Sequence, residues 1–187
     1  MTDGGTVVGC CLLEIDHIRP ALLPATMGKR LRAAAHRIST EWEDAAGVTI
    51  GVYVPVRHTD SRAAVTLGGR WFPGVHRRAA IEVVESADEL CWTVAPVDGD
   101  TGFGIRVVAS TSVATSSTAY ETIGATCLGA AVGISPDHHG ILEAARMAPE
   151  HRRAQQVTID HLISEFLAGF ASAQPAPSYL MRDVAVT

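Results

Sequence analysis

The sequence predicts an α+β fold in which antiparallel strands close into a curved barrel or cone around a central cavity, with a few short helices. Segments with alternating apolar side chains recur along most of the chain, while the apolar periodicity typical of helices is weak. Turn residues separate these segments at short intervals. A sheet with many strands hides its edges by closing on itself, and the interior can then hold a small molecule.

Length and composition indicate one globular domain over residues 1–187, since 47% of the residues are hydrophobic and only 19% are charged. The net charge of -5 argues against a nucleic-acid-binding protein, which needs a basic face. The N-terminus lacks the basic start of a signal peptide, and its apolar stretch is too short to span a membrane. We therefore expect a cytoplasmic protein whose partner is a small molecule. A homo-oligomer built on an exposed sheet is a further possibility.

Strands account for most of the predicted elements. They are rich in β-branched or alternating apolar residues and are bounded by Gly, Pro, Asp or Ser. In chain order the predicted strands are 6–15, 48–56, 79–85, 89–95, 103–114, 141–147, 155–163 and 178–186. Residues 30–43 are ambiguous, because their alanines favour a helix while their alternation allows a long strand. We expect turns at 86–88, 98–102 and 135–140.

Helices are predicted to be few and short. Residues 17–24 indicate a short helix or turn that ends at Pro24. A helix at 58–69 would begin at Thr59, Asp60 or Ser61 and end at Gly68. Residues 117–129 open with the spacing of a capping box, and 164–171 resemble a single helical turn.

Four segments of this chain, in this order, resemble the uncharacterised YqjF-like family (DUF2071). They are GVYVPVRHTDS (51–61), GGRWFPGVHRRA (68–79), GISP (133–136) and LMR (180–182). The resemblance covers about residues 47–187. That family is grouped with the acetoacetate decarboxylases, so the resemblance implies an acetoacetate decarboxylase-like barrel with a central cavity.

The resemblance also bears on the basic residues that precede the strand at 79–85. Acetoacetate decarboxylases have a Gly-Arg pair and then Pro-Lys-Lys, and the first lysine forms a Schiff base. Here Gly69-Arg70 matches the pair, His76 falls on the proline, and Arg77 and Arg78 fall on the lysines. A guanidinium stays protonated and cannot attack a carbonyl. The resemblance therefore implies a related cavity without Schiff-base chemistry, and we expect no cofactor.

Neighbouring strand residues face opposite sides, so only one of Arg77 and Arg78 can point inward, where it would bind a carboxylate or an enolate oxygen. The alternative is that both face solvent. We expect catalysis from Arg77, with His76 and Glu41 as proton-transfer groups. Acetoacetate decarboxylases have an upstream glutamate that faces the lysines, and Glu41 and Glu43 both lie at roughly the matching distance. We take Glu41 as the candidate, and a solvated turn is the alternative. The predicted substrate-binding residues are Arg78, Arg70, Arg57, Trp71 and Tyr53.

Structural alternatives exist for several of these residues. Arg57, His58 and Asp60 could form a local salt-bridge cluster, and Arg70 could close a helix end or pair with a carboxylate such as Asp60. His138 and His139 are adjacent in a turn, and no third ligand has the spacing of a metal site, so we expect no metal.

Two function classes are consistent with the sequence. The first is an enzyme that acts non-covalently on a keto acid or polyketide-like compound, by enolisation, cyclisation, dehydration or a lyase reaction. The second is a non-catalytic barrel that binds a small ligand as a sensor or carrier.

Overall fold

The computed structural model describes residues 6–18, 24–44, 47–70, 73–97, 99–116, 132–146, 154–170 and 172–182. Strands dominate these ranges. They are β1 (Val8–Ile18), β2 (Lys29–Asp44), β3 (Gly47–Tyr53), β4 (Arg57–Thr59), β5 (His76–Glu85), β6 (Glu89–Pro96), β7 (Ile105–Ser116), β8 (Val132–Pro136), β9 (Leu142–Arg146), β10 (Ala154–Ser164) and β11 (Ser178–Met181). Two short helices are α1 (Arg62–Leu67) and α2 (Glu165–Ala168), and 3₁₀ turns lie at Ala25–Met27 and Thr101–Phe103.

The strands form one sheet in the order β11-β10-β7-β6-β5-β4-β2-β3-β8-β9, and β1 pairs with β2. This confirms a mostly β fold with few short helices. Within the described ranges the sheet path ends at β11 and β9 without a pairing that closes it, so the predicted closed barrel is not reproduced there. The sheet is also not purely antiparallel, because β3 pairs with β8 and β4 with β5 in parallel. In the second case the chain crosses over through α1 before it returns alongside β4.

The ambiguous segment 30–43 is the long strand β2. It hydrogen-bonds with β1 along one edge, and along the other with β4 at Ala33–Ala35 and then with β3 from Ile38 onward. Pairing on both edges outweighs the helix preference of its alanines. Ala34 and Ala35 are both buried, although they face opposite sides.

Several predicted boundaries shift for local reasons. The strand predicted at 48–56 ends at Tyr53, and β4 begins only after Pro55, which lacks the N–H that a ladder needs. The helix or turn predicted at 17–24 is wrong at its start, because β1 continues to Ile18 opposite Lys29. The strand predicted at 79–85 begins earlier, at His76, since its first residues pair with β4.

The predicted ends of the helix at 58–69 are confirmed, with Ser61 as the N-cap among the three residues that the sequence offered. The Ser61 hydroxyl accepts a hydrogen bond from the Ala64 amide at 3.3 Å, and α1 ends at Gly68. The Ser164 hydroxyl likewise accepts from the Leu167 amide at 3.3 Å, which starts α2. The helix predicted at 117–129 and the end of the strand predicted at 178–186 lie outside the described residues.

The two faces of the sheet have different contents. A buried apolar cluster joins Ala34 of β2, Ala79 of β5, Val94 of β6 and Ile105 of β7 on what we name the core face. A second cluster joins Ala35, Val52 and Val54 on the opposite face. None of the helices in the ranges given above has the length or apolar content needed to cross a membrane.

Gly51 of β3 is packed too tightly to accept a side chain. A Cβ at this position would lie 2.6 Å from the Val132 carbonyl oxygen and 2.7 Å from the Trp42 ring. We expect Gly51→Ala to lower the free energy of unfolding by about 1–3 kcal/mol, because the ring or the strand must move. Denaturant unfolding measures the change. The control is Gly9→Ala in β1, where an added Cβ meets nothing within 4 Å. An equal loss in both variants would contradict the packing explanation.

Candidate functional site

The basic residues at the start of β5 alternate between the two faces of the sheet. Arg77 shares a face with Ala79 and Ile81, which belong to or pack on the core-face cluster. His76 and Arg78 point to the opposite face. Of the two adjacent arginines, Arg77 is therefore the one on the core face, and its half-exposed side chain (49%) lies at the rim of that face.

Arg77 forms an ion pair through Nη1 with the Asp100 carboxylate. The same oxygen, Asp100 Oδ2, lies 3.7 Å from His58 Nε2. Asp100 precedes the 3₁₀ turn Thr101–Phe103, and its carbonyl accepts a hydrogen bond from the Phe103 amide at 3.1 Å. The Asp100 side chain is 20% exposed and that of His58 is fully buried. One carboxylate thus lies between a cation at the rim and an imidazole in the interior.

A second buried histidine, His36, adjoins His58. The His36 ring packs against Phe166 at 4.5 Å and against Phe103 at 5.2 Å, measured between ring centroids. Burial, followed by the nearby His58, lowers the pKa of His36 to about 4, and Asp100 partly opposes the shift. His36 is therefore neutral at pH 7.

We name Arg77, Asp100, His58 and His36 the Asp100 cluster. The strand register explains how it forms, because Arg77 lies opposite His58, and His58 lies opposite Ala34, two residues before His36 in β2. A fixed cation, a carboxylate and an imidazole at close range can bind an anion and move a proton.

Arg57 belongs to the opposite face. It donates to the Ser135 hydroxyl at 2.5 Å and to the Pro73 carbonyl at 3.5 Å. Burial and then the charge of Arg37 lower the pKa of Arg57 to about 10. Gly74 lies against this guanidinium at a φ of 84°, where a side chain would be strained and would collide with Arg57. Arg57 thus fastens the loop before β5 to β8.

His76 faces Arg57, so it does not share a site with Arg77 as we expected. Its Nδ1 lies 3.0 Å from the Gly74 carbonyl oxygen. Burial and then Arg57 lower the pKa of His76 to about 4, which keeps it neutral. Strand alternation is the reason for the separation.

Arg78 and Arg70 have backbone partners. Arg78 donates to the Asp60 carbonyl. Arg70 donates to the Thr66 carbonyl at 3.1 Å, which closes the end of α1 as the structural alternative predicted. Neither contact places the side chain at the Asp100 cluster.

The structural alternative in which Arg57, His58 and Asp60 form one salt-bridge cluster is wrong. The three side chains diverge: Arg57 contacts Ser135, His58 contacts Asp100, and the Asp60 carboxylate accepts from the Arg32 amide at 2.9 Å.

Glu41 is not the carboxylate beside Arg77. It lies opposite Ile50, seven residues further along β2 than Ala34, which corresponds to about 23 Å of strand. Its side chain is exposed.

Tyr53, a predicted substrate-binding residue, is half-buried in β3, opposite Ile38 and beside β8. Trp71 lies outside the described residues.

Sequence reasoning missed Asp100 and His36. Asp100 looks like an ordinary turn residue, and no local pattern reveals its contact with Arg77, 23 positions away. His36 could have been noticed, because a histidine that follows three alanines in a possible strand is a candidate for burial in the core.

In the described part of the chain, no three His, Cys, Asp or Glu side chains converge as metal ligands would.

Comparison with known proteins gives one distant likeness. No family model matches the chain, and it has no significant match among curated proteins. Among solved structures it is similar to an acetoacetate decarboxylase from Legionella pneumophila, with 11% sequence identity and a TM-score of 0.47. The alignment covers 86% of this chain and 62% of that chain, so this chain spans less than two thirds of the length of that enzyme.

The low pKa of His36 predicts a loss of stability in mild acid. Between pH 6.5, its ordinary pKa, and about 4, the unfolded chain takes up a proton that the folded protein does not. The free energy of unfolding therefore falls as the pH drops through this window, by at most about 1.4 kcal/mol per pH unit for this group. Replacement of His36 by Leu should make the dependence shallower, as measured by denaturant unfolding from pH 7 to 4. The control His161→Asn, at an exposed position, should keep the original slope. If the slope in His36→Leu matched that of the parent, His36 would not be the source.

Proposed function

We propose that this protein acts on small carbonyl compounds that carry a carboxylate, and that it promotes enolisation without a covalent intermediate. Arg77 would hold an anionic oxygen of the substrate, and Asp100 would accept the proton next to the carbonyl. The observation that carries the proposal is the position of the Asp100 carboxylate, which is shared between Arg77 at the rim and His58 in the interior.

Arg77 has the properties of an anion-binding residue. Its guanidinium is charged at any physiological pH and it is half exposed. It contacts Asp100 through Nη1, and a planar guanidinium can keep such a contact while its other N–H groups bind a second oxyanion. A charge of this kind near a carbonyl oxygen stabilises the enolate that forms when the adjacent proton leaves.

Asp100 is placed to be the base. It is the member of the Asp100–His58 pair with an exposed part, so a substrate bound to Arg77 would meet it first. The carboxylate would take the proton from the carbon next to the carbonyl, and the electron pair of that C–H bond would become the enolate. Return of the proton to the same or another carbon completes the step. His58 is a positioning residue, since its buried ring lies 3.7 Å from the Asp100 oxygen that pairs with Arg77.

The position of the chain's lysine supports a non-covalent mechanism. Lys29 is the sole lysine in the sequence, and its side chain is exposed at the start of β2. Lys29 lies opposite Ile18 and five residues before Ala34 in β2. Ala34 is the β2 residue level with His58 and Arg77, so about 17 Å of strand separates Lys29 from that level.

Proton exchange in D₂O tests the proposal without knowledge of the final product. With pyruvate, 3-oxobutanoate and 4-oxopentanoate as probes, we expect the protein to accelerate exchange of the protons next to the ketone, as followed by NMR. Asp100→Asn should abolish the exchange while the probes still bind. Arg77→Gln should weaken it about a hundredfold, as loss of an oxyanion donor does elsewhere.

Arg78→Gln is the matched control, because Arg78 is adjacent in β5 but faces away from the Asp100 cluster. Its exchange rate should stay close to that of the unchanged protein. Equal effects of the two arginine substitutions would contradict the role of Arg77. Binding of the probes with no exchange would leave a ligand-binding protein and overturn the catalytic proposal.

Borohydride trapping tests the absence of an imine. We expect no adduct by mass spectrometry after treatment with any of the three keto acids and borohydride, because a guanidinium cannot form the imine that borohydride reduces. A substrate-dependent adduct on Lys29 would contradict the non-covalent mechanism.

A further inference from the structure

His36 is a fully buried histidine whose two ring nitrogens have no hydrogen-bond partner within the described ranges. A neutral imidazole has one N–H donor and one acceptor nitrogen, and both are normally satisfied in a protein interior. Leaving buried polar atoms unsatisfied costs about 1–3 kcal/mol each. A leucine would fill this place in the core without that penalty, so the histidine needs another explanation.

The surroundings of His36 are aromatic. Phe103 and Phe166 pack on its ring and on each other, with 5.6 Å between their centroids. His58 also lies near Phe103, at 6.0 Å between ring centroids. The charged and titratable groups that act on His36 are His58 and Asp100, both in the Asp100 cluster.

The aromatic rings also lead toward the surface. Phe166 is half-buried in α2, which is a single helical turn, and it packs on Phe170 at 5.5 Å between centroids. Phe170 is 38% exposed. The ring contacts from His36 to Phe166 and from Phe166 to Phe170 therefore form a continuous row that ends at a partly exposed side chain.

We propose that His36, Phe103 and Phe166 form an apolar subsite of the same site, which takes the aromatic or alkyl end of the substrate, while His36 hydrogen-bonds its carbonyl or hydroxyl oxygen. This inference rests on the proposed function, because Arg77 must hold the carboxylate at the other end. The register places the Cα atoms of Arg77 and His36 about 12 Å apart, a span that a guanidinium and a small aryl keto acid can fill together. The substrate class is then an aryl or long-alkyl keto acid.

Three stable acids separate the contributions to binding. The acid 4-oxo-4-phenylbutanoate has a carboxylate, a ketone and a phenyl ring; 4-phenylbutanoate lacks the ketone, and 4-oxopentanoate lacks the ring. Calorimetric titration should show that the unchanged protein binds the first acid most tightly. His36→Leu should lose about tenfold in preference for the ketone and keep the preference for the ring. Phe166→Ala should lose the preference for the ring.

His36→Gln provides a rescue, because its amide restores a donor and should recover part of the ketone preference. Circular dichroism verifies that each variant is folded. If His36→Leu does not fold, His36→Gln and Phe166→Ala still test the subsite. Compared with the parent, His36→Gln must show a reduced preference for the ketone and Phe166→Ala a reduced preference for the ring.

The outcomes separate this inference from the proposed function. If Arg77→Gln weakens all three acids while the His36 and Phe166 variants select as the parent does, the subsite is wrong and the proposed function stands. The same holds if the parent binds 4-oxopentanoate but neither phenyl acid. If Arg77→Gln binds every acid as tightly as the parent, or if the parent binds none, the proposed function fails and the subsite with it.

Discussion

β2 hydrogen-bonds along both of its edges, to β1 on one side and to β4 and then β3 on the other. This pairing holds the short strand β4 in place, and β4 in turn fixes the start of β5 by a parallel ladder. The row Ala34–His58–Arg77 runs across these three strands. Without the pairing on the β4 edge, neither His58 nor Arg77 would have a defined position relative to His36, so the Asp100 cluster depends on it.

Strand alternation then divides the basic residues between two environments. On the opposite face, Arg57 and His76 are half-buried around a glycine loop, and their neutral hydrogen-bond acceptors are Ser135 and backbone carbonyls. These contacts hold the loop before β5 against β8. On the core face, Arg77 keeps half of its side chain exposed and is balanced by a carboxylate that is itself partly exposed. A cation that is both fixed and accessible suits the binding of an anion, whereas a half-buried one whose hydrogen bonds go to its own chain suits a structural role.

The electrostatics of the core face change with depth. The charges lie at the rim, in Arg77 and Asp100, and the interior holds a neutral His36 in contact with two phenylalanine rings. Desolvation explains this arrangement, because a charge in the apolar interior is costly. Burial lowers the pKa of His36, so its ring is neutral. A ligand that matches this arrangement would carry its charge at the end near the rim and its apolar part at the end in the interior.

The sequence by itself determined the strand-rich class, the caps of α1, and the permanent positive charge of the Arg77-Arg78 pair, because each depends on residue type or on neighbours a few positions away. It also determined that only one of the two arginines can face the core. The tertiary structure alone decided that this one is Arg77, that β2 is a strand, and that Asp100 rather than Glu41 is the carboxylate beside it. Those outcomes depend on strand register and on contacts between residues far apart in the chain, where hydrogen bonding across strands outweighs local preference.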